Sequence, residues 1–335
     1  MAEYNDWRPE ESLTDAPRRG RDHGLDNVRF GLMFLVVFGH FLEIMPPFAG
    51  KQLLYQVIYS FHMPAFLFLA GCNARFRPRQ ILLRWGLPYL IFDGVYVLFA
   101  RLVLKADAVF DPARPYWLLW YLPACIFYQL LLPLYDRKSR PGRWAVLAGC
   151  FVLALGAGFA DQVGYYLPAS RFFVFQPWFV LGYYWKNSGR MANPGKGTLL
   201  TAALAVCLSV PFLHRAGIPD RILQGAWSYA LAGGALWMRA AVYGISGAWI
   251  ILLFGGFRRL FSGEIPLITQ IGRHTWPVFL LHGMIVRGIG AHCPGLAATP
   301  VRALALTCLV LTALGNPAVH ALVDTLTLRR PEKGN

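Results

Sequence analysis

Apolar residues in this chain come in blocks separated by short polar connectors. The blocks fall at roughly 25–45, 53–72, 82–104, 116–134, 144–160, 171–185, 197–213, 238–257, 275–290 and 301–323. Each has about the length needed to cross a hydrocarbon core as a helix. The ten-residue segments of strict alternation that mark a transmembrane β-barrel are not seen. The pattern therefore predicts an all-α, polytopic membrane protein with about ten transmembrane helices. It divides the chain into an N-terminal tail at 1–24, a helical membrane domain at 25–325 and a C-terminal tail at 326–335. Region 214–237 fits no span. Its Gln224, Trp227, Ser228 and Tyr229 look interfacial and its Gly233-Gly234 pair looks like a break. An outer amphipathic or re-entrant piece is expected there.

Composition agrees with the pattern. Of 335 residues, 56% are hydrophobic and only 15% charged, against nearer a quarter charged in soluble domains. In a soluble protein the net charge of +15 would suggest nucleic acid. Here the cations sit in connectors. With the N-terminus inside, 21 of the 32 Lys and Arg fall in inner segments and 5 in outer ones. That alternation is the positive-inside pattern. It places both termini in the cytoplasm, makes the chain a multi-pass protein of the cell membrane, and removes the case for a nucleic-acid partner. No apolar stretch with a cleavage site precedes the first block, so no signal peptide is expected. The six cysteines are scattered without C-x-x-C pairs. They are expected to be small core residues, with no structural disulfide and no metal site.

The chemistry lies in the polar residues inside the apolar blocks, because ionisable groups are costly in a bilayer and are functional by default. Arg29 and His40 share the first block, eleven residues apart. Eleven helical steps return to within about 20° and advance about 16 Å, so the two face one side at different depths. Glu43 shares that face one turn beyond His40. The second block holds Phe61-His62-Met63-Pro64 and, further on, Ala70-Gly71. Pro64 opens the helix ladder there and frees a backbone carbonyl. The third opens with Arg84-Trp85-Gly86-Leu87-Pro88-Tyr89, the fourth carries Trp117, Trp120 and Tyr121, the sixth begins at Arg171, and the ninth runs from Thr275 to His282.

These motifs resemble the acyltransferase-3 family of integral membrane O-acyltransferases, most closely its fucose 4-O-acetylase-like branch. Arg29 and His40 match an R/K-x10-H motif, Phe61 to Pro64 with Gly71 a second-helix motif, Arg84 with Pro88-Tyr89 the start of a third helix, and Thr275 to His282 a closing motif. The resemblance spans about residues 21–325 and is to members without an appended esterase-like domain. One departure is Ala70-Gly71 where Ser-Gly is common. The resemblance implies a cytoplasmic acyl-CoA as co-substrate, acetyl-CoA at the family level, and a glycan or glycolipid hydroxyl as acceptor.

Such a transfer needs a general base working near neutral pH, for which histidine is suited. His40 is the candidate base, Glu43 the group that would orient its ring, and His62 a candidate donor to the oxyanion. Arg75, Arg77, Arg79 and Arg84, with Arg29, would meet the phosphates of coenzyme A. For the connector arginines topology alone is the other explanation. Asp26 stands three residues before Arg29 and could simply pair with it. Arg171, His282, Trp120 and Tyr121 are candidate acceptor contacts. Snorkelling, helix packing and an interfacial aromatic belt are their structural alternatives. A second function class is a secondary transporter or exporter of a sugar or acyl-bearing metabolite. Transporters also place charge at the midplane, usually within inverted repeats, and no repeat is visible here. A membrane scaffold would leave Arg29, His40 and His62 without a reason to be buried.

Overall fold

The computed structural model describes residues 21–137, 139–161, 168–187 and 194–328. Most of both expected tails, residue 138, and the connectors at 162–167 and 188–193 lie outside the described residues. The described chain is helical and contains no strand. A helix occupies each of the predicted blocks. These are α1 (His23–Ile44), α2 (Lys51–Cys72), α3 (Pro78–Leu102), α4 (Trp117–Leu130), α5 (Arg140–Phe159), α6 (Ala169–Asn187), α7 (Lys196–Ala216), α8 (Leu236–Leu260) and α9 (Thr275–His292). The last block is divided between α10 (Pro300–Leu314) and α11 (Pro317–Leu326).

Length and hydropathy together qualify six of these as membrane-spanning, or seven if α10 and α11 count as one bent span. The difference from ten has physical causes. Helix α4 is short. Helices α6 and α9 are long enough, but Arg171, Gln176 and Lys186 dilute the first, and His282, Arg287 and His292 the second. The predicted span at 301–323 bends by 65°. Its break falls at Gly315-Asn316-Pro317, where the Asn316 side chain accepts from the Ala318 N–H at 2.8 Å and starts a new helix.

Helices α1 and α2 form the centre. The apolar window of α2 is 67% buried, whereas that of α7 is 22% buried. Helix α7 is thus the outer wall and α2 the post around which the others pack. Its broadest partner is α6. The two backbones touch: a Cβ on Gly71 would lie 2.0 Å from the Phe179 carbonyl oxygen, and one on Gly182 would lie 1.9 Å from that of Phe68. The Cys72 thiol donates to the Gly182 carbonyl across the seam at 3.4 Å. On the other side of α2, Pro64 has no N–H to give the Ser60 carbonyl. That carbonyl accepts from the Ser246 hydroxyl of α8 at 2.5 Å instead. A helix defect thereby becomes a helix-to-helix bond.

Of region 214–237, the ends belong to α7 and α8, and between them lie two short helices, Asp220–Gln224 and Tyr229–Ala232, with Ile218, Ile222, Leu223 and Tyr229 buried. Arg239, only 1% exposed, donates to the Trp227 carbonyl at 2.9 Å and lies over the Tyr229 ring at 4.7 Å. Gln56 of α2 donates to the Ile218 carbonyl at 2.9 Å. The segment is a fastened cap at the Glu43 end of the bundle.

The seam between α2 and α6 yields a stability test. Gly71→Ala should destabilise the purified protein by about 1–3 kcal/mol, since backbone atoms cannot step aside as side chains do. Gly94→Ala, with nothing within 4 Å of its added methyl, should leave the thermal midpoint in detergent almost unmoved. Equal midpoints for the two variants would show that α2 and α6 do not meet at this seam.

Candidate active site

One cavity of about 1480 Å³ runs along α1, and every candidate named from the sequence other than Arg79 lines it. At one end stand Arg29, Arg75, Arg77 and Arg84. In the middle are His40, His62 and His282, flanked by Trp120 and Tyr121, and at the far end Glu43 and Arg171. Sequence reasoning did not single out Lys186 and Arg273 at the basic end, or Tyr59 and the cap residues Asp220 and Gln224 elsewhere, as site residues, whereas Trp117, named with Trp120 and Tyr121, does line the cavity. Tyr59 had a signal: it precedes His62 by three residues, so both fall on one face of α2.

The basic end is organised by a carboxylate. Asp26 is 1% exposed and accepts from Arg29 Nη1 and from Arg21 Nε, each at 2.7 Å, while Arg273 Nε lies 3.5 Å away. Arg29 thus both pairs with Asp26 and lines the cavity, so the two readings of it are compatible. The neighbouring Asn27 ties α1 to the α8–α9 connector. It donates to the Phe261 and Gly263 carbonyls at 2.7 and 3.0 Å and accepts from Thr269 at 2.6 Å. Arg84 sits in a widened turn, Leu82–Gly86, where the Leu87 N–H reaches back to the Leu82 carbonyl. Pro88 follows at once and cannot donate, and a π-type turn is one way a helix absorbs that loss.

The middle is a ring of aromatic and imidazole groups. Tyr59 donates to Glu43 through a short hydrogen bond and lies 3.3 Å from His40 Nδ1. Glu43 Oε1 is 3.5 Å from the same nitrogen. In a neutral His40 whose Nδ1 carries the proton toward Glu43 and Tyr59, Nε2 is the acceptor nitrogen. The Trp117 and His282 rings lie 4.6 and 5.4 Å from His40. Trp117 has φ 40°, a left-handed backbone that bulky residues rarely adopt, and Arg287 covers its ring at 4.6 Å.

The other two histidines have their tautomers set by the backbone. His62 Nδ1 donates to the Ile58 carbonyl at 2.8 Å and His282 Nδ1 to the Val278 carbonyl at 2.7 Å. In the neutral form each therefore presents Nε2 as an acceptor. The donor role expected for His62 is open only to its protonated form. His282 is fully buried and its Nε2 has no hydrogen-bond partner among the described residues.

At the far end Arg171 donates to the Gln224 carbonyl at 3.1 Å and lies over the Trp120 ring at 4.9 Å. Trp120 stacks on Phe175, and Tyr121 packs against Phe279. Asp220 of the cap accepts from Gln52 at 2.6 Å. Burial holds its carboxyl above the usual range, with the Gln52 bond acting the other way.

The described helices thus bring a histidine–carboxylate pair and a cluster of arginines to one cavity inside the bundle. The chain belongs to the acyltransferase-3 family: the family's acyltransferase domain matches residues 22–314. It is a membrane acyltransferase. No curated protein and no solved structure matches the chain.

If Asp26 is the counter-charge of this end, Asp26→Asn should cost about 1.5–3 kcal/mol, the scale of a hydrogen bond to a charged group. Thermal unfolding in detergent measures it. An undiminished midpoint would mean that Arg21, Arg29 and Arg273 are held by other contacts.

Proposed function

We propose that this chain is an O-acyltransferase of the fucose 4-O-acetylase-like branch. It moves an acetyl group from cytoplasmic acetyl-CoA to a hydroxyl of a cell-envelope or exported glycan. The observation that carries this reading is that His40, oriented by Glu43 and Tyr59, shares one cavity with the arginines around Asp26. The donor's phosphates bind Arg29, Arg75, Arg77 and Arg84, and the thioester reaches up to His40. The acceptor enters past Arg171, Trp120 and Tyr121. His40 Nε2 takes the proton of the acceptor hydroxyl as its oxygen attacks the thioester carbon. The carbon–sulfur bond breaks, and the leaving thiolate takes that proton back from the imidazolium. Glu43 stabilises the imidazolium as the carboxylate of a triad does. His62 and His282 accept hydrogen bonds from the acceptor and fix its orientation.

Purified protein incubated with acetyl-labelled acetyl-CoA and a panel of glycans tests the reading. An enzyme transfers or hydrolyses the acetyl group, whereas a carrier only moves it across proteoliposomes. Loss of a general base typically costs about 10²–10⁴ in rate. His40→Ala should therefore abolish detectable transfer while expression and acetyl-CoA binding persist, and a variant retaining more than about half of the wild-type rate, far above that expectation, would refute the mechanism. Arg84→Ala should raise the donor KM more than it lowers kcat, because a phosphate clamp supplies uniform binding. An unchanged donor KM would remove Arg84 from the site.

The orientation follows from the charge split among the connectors. Reporters fused near residues 76 and 262 should read cytoplasmic, and those near 110 and 295 external. The reverse pattern would put the arginines on the wrong side for a cytoplasmic donor.

A further inference from the structure

Helix α11 lies beyond the residues that the family's domain matches, yet it contributes His320 and Asp324 to the cavity. Resting on the acyl-CoA reading above, we propose that His274, His320 and Asp324 form the pocket for the adenine base of the donor. Asp324 is 8% exposed, and its Oδ1 is buried without a hydrogen-bond partner among the described residues. Its Oδ2 lies 3.4 Å from His320 Nε2. The His320 ring stands edge-on to that of His274, centroids 5.0 Å apart, and His274 is anchored by its own Nδ1 to the Gln270 carbonyl at 2.8 Å.

A buried acceptor atom without a donor is costly, and a cavity wall is where a ligand can supply one. The parts of an acyl-CoA differ in what they bring. The phosphates are anionic, so a carboxylate repels them and the arginines take them. The thioester has no donor, and it must lie deep, at His40. The pantetheine arm has to run from there to the basic end. What remains beyond the phosphates is the nucleoside, whose adenine carries two N–H bonds on its exocyclic N6 and a flat face on either side. Asp324 Oδ1 accepts from N6, and the two imidazoles wall the ring.

The position fits that order of groups. His274 directly follows Arg273, which lies 3.5 Å from the carboxylate that also holds Arg29. Two residues further on, Trp276 lines the cavity edge-on to Trp85, the neighbour of Arg84, at 5.7 Å. The pocket thus adjoins the basic end: His274 is the chain neighbour of Arg273, and Trp276 packs on the chain neighbour of Arg84, one of the cations that would hold the phosphates. Bend and break serve it too, since a straight continuation of α10 would direct α11 elsewhere by the 65° between them.

The experiment measures equilibrium binding of three probes to the purified full-length protein: acetyl-CoA, its 1,N6-etheno derivative, and acetyl-4′-phosphopantetheine. The etheno bridge removes the N6 donors, and the third probe lacks the nucleotide. Wild-type protein should bind the etheno derivative at least about tenfold more weakly than acetyl-CoA, the scale of a lost hydrogen bond to a charged group. Asp324→Ala should weaken acetyl-CoA by a similar factor, erase the discrimination against the etheno derivative, and bind acetyl-4′-phosphopantetheine as wild type does. Equal wild-type affinity for acetyl-CoA and its etheno derivative overturns the adenine pocket, and that arm stands whether or not the variant folds. An Asp324→Ala loss of equal size for all three probes assigns Asp324 to structure alone and also overturns it. Wild-type protein that binds none of the three removes the acyl-CoA reading itself, and the pocket with it.

Discussion

Like charges crowd the basic end of this molecule, and one buried carboxylate makes that tolerable. Arg21, Arg29 and Arg273 all turn toward Asp26. Without it, guanidinium groups from the N-terminal arm, α1 and the connector before α9 would repel each other across a partly desolvated space. With it they converge, and the surplus of positive charge around them is directed into the cavity. The same residue sets a distance: a Cβ on Gly272 would lie 1.9 Å from the Asp26 carbonyl oxygen, so the short helix Pro266–Arg273 in the connector before α9 rests on the backbone of α1. Charge compensation and close approach act at one point, and the starting position of α9, with His274 and His282, is inherited from it.

The middle of the site depends on a different economy. Each of the three histidines has its Nδ1 committed, His40 to Glu43 and Tyr59, His62 and His282 to carbonyls one turn back in their own helices. A helix can fix an imidazole tautomer in this way at no cost to its ladder, because a carbonyl has two lone pairs. Nε2 is the nitrogen left over on each ring, and on His282 it is buried without a hydrogen-bond partner among the described residues. The hydrogen-bonding character of this waist is therefore specified by which ring nitrogen each backbone or carboxylate has claimed.

Much of this was legible along the chain, and the parts that were not share a cause. Arg29 and His40 could be put on one face because helical geometry is regular over eleven residues. The effect of Pro64 on its own helix was legible, but that Ser246 receives the freed carbonyl depends on how α2 and α8 cross. The cap at 214–237 announced itself by glycines and interfacial aromatics, while its fastening by Arg239 is a tertiary fact. Of the three arginines around Asp26, Arg273 comes from about 250 positions along the chain, and only the i,i+3 pair with Arg29 could be foreseen. The break before α11 is written as Gly315-Asn316-Pro317, but apolar residues on both sides of it make 301–323 look like one block. Helices α6 and α9 show the converse. Their polar residues lower the hydropathy signal because those residues face the cavity or the neighbouring helices rather than lipid.

A cavity lined at both ends of a helix long enough to cross a bilayer is also a cut through an electrical insulator. A membrane holding about 100 mV stores about 2.3 kcal/mol for each unit charge that crosses it, and a water-filled bore would let that drain away. What stands in the bore here is the ring of Tyr59, Trp117 and the imidazoles around His40. In a membrane those rings would be the groups that have to block such a bore. An opening at the waist wide enough to admit substrates from both sides at once must close around them or leak.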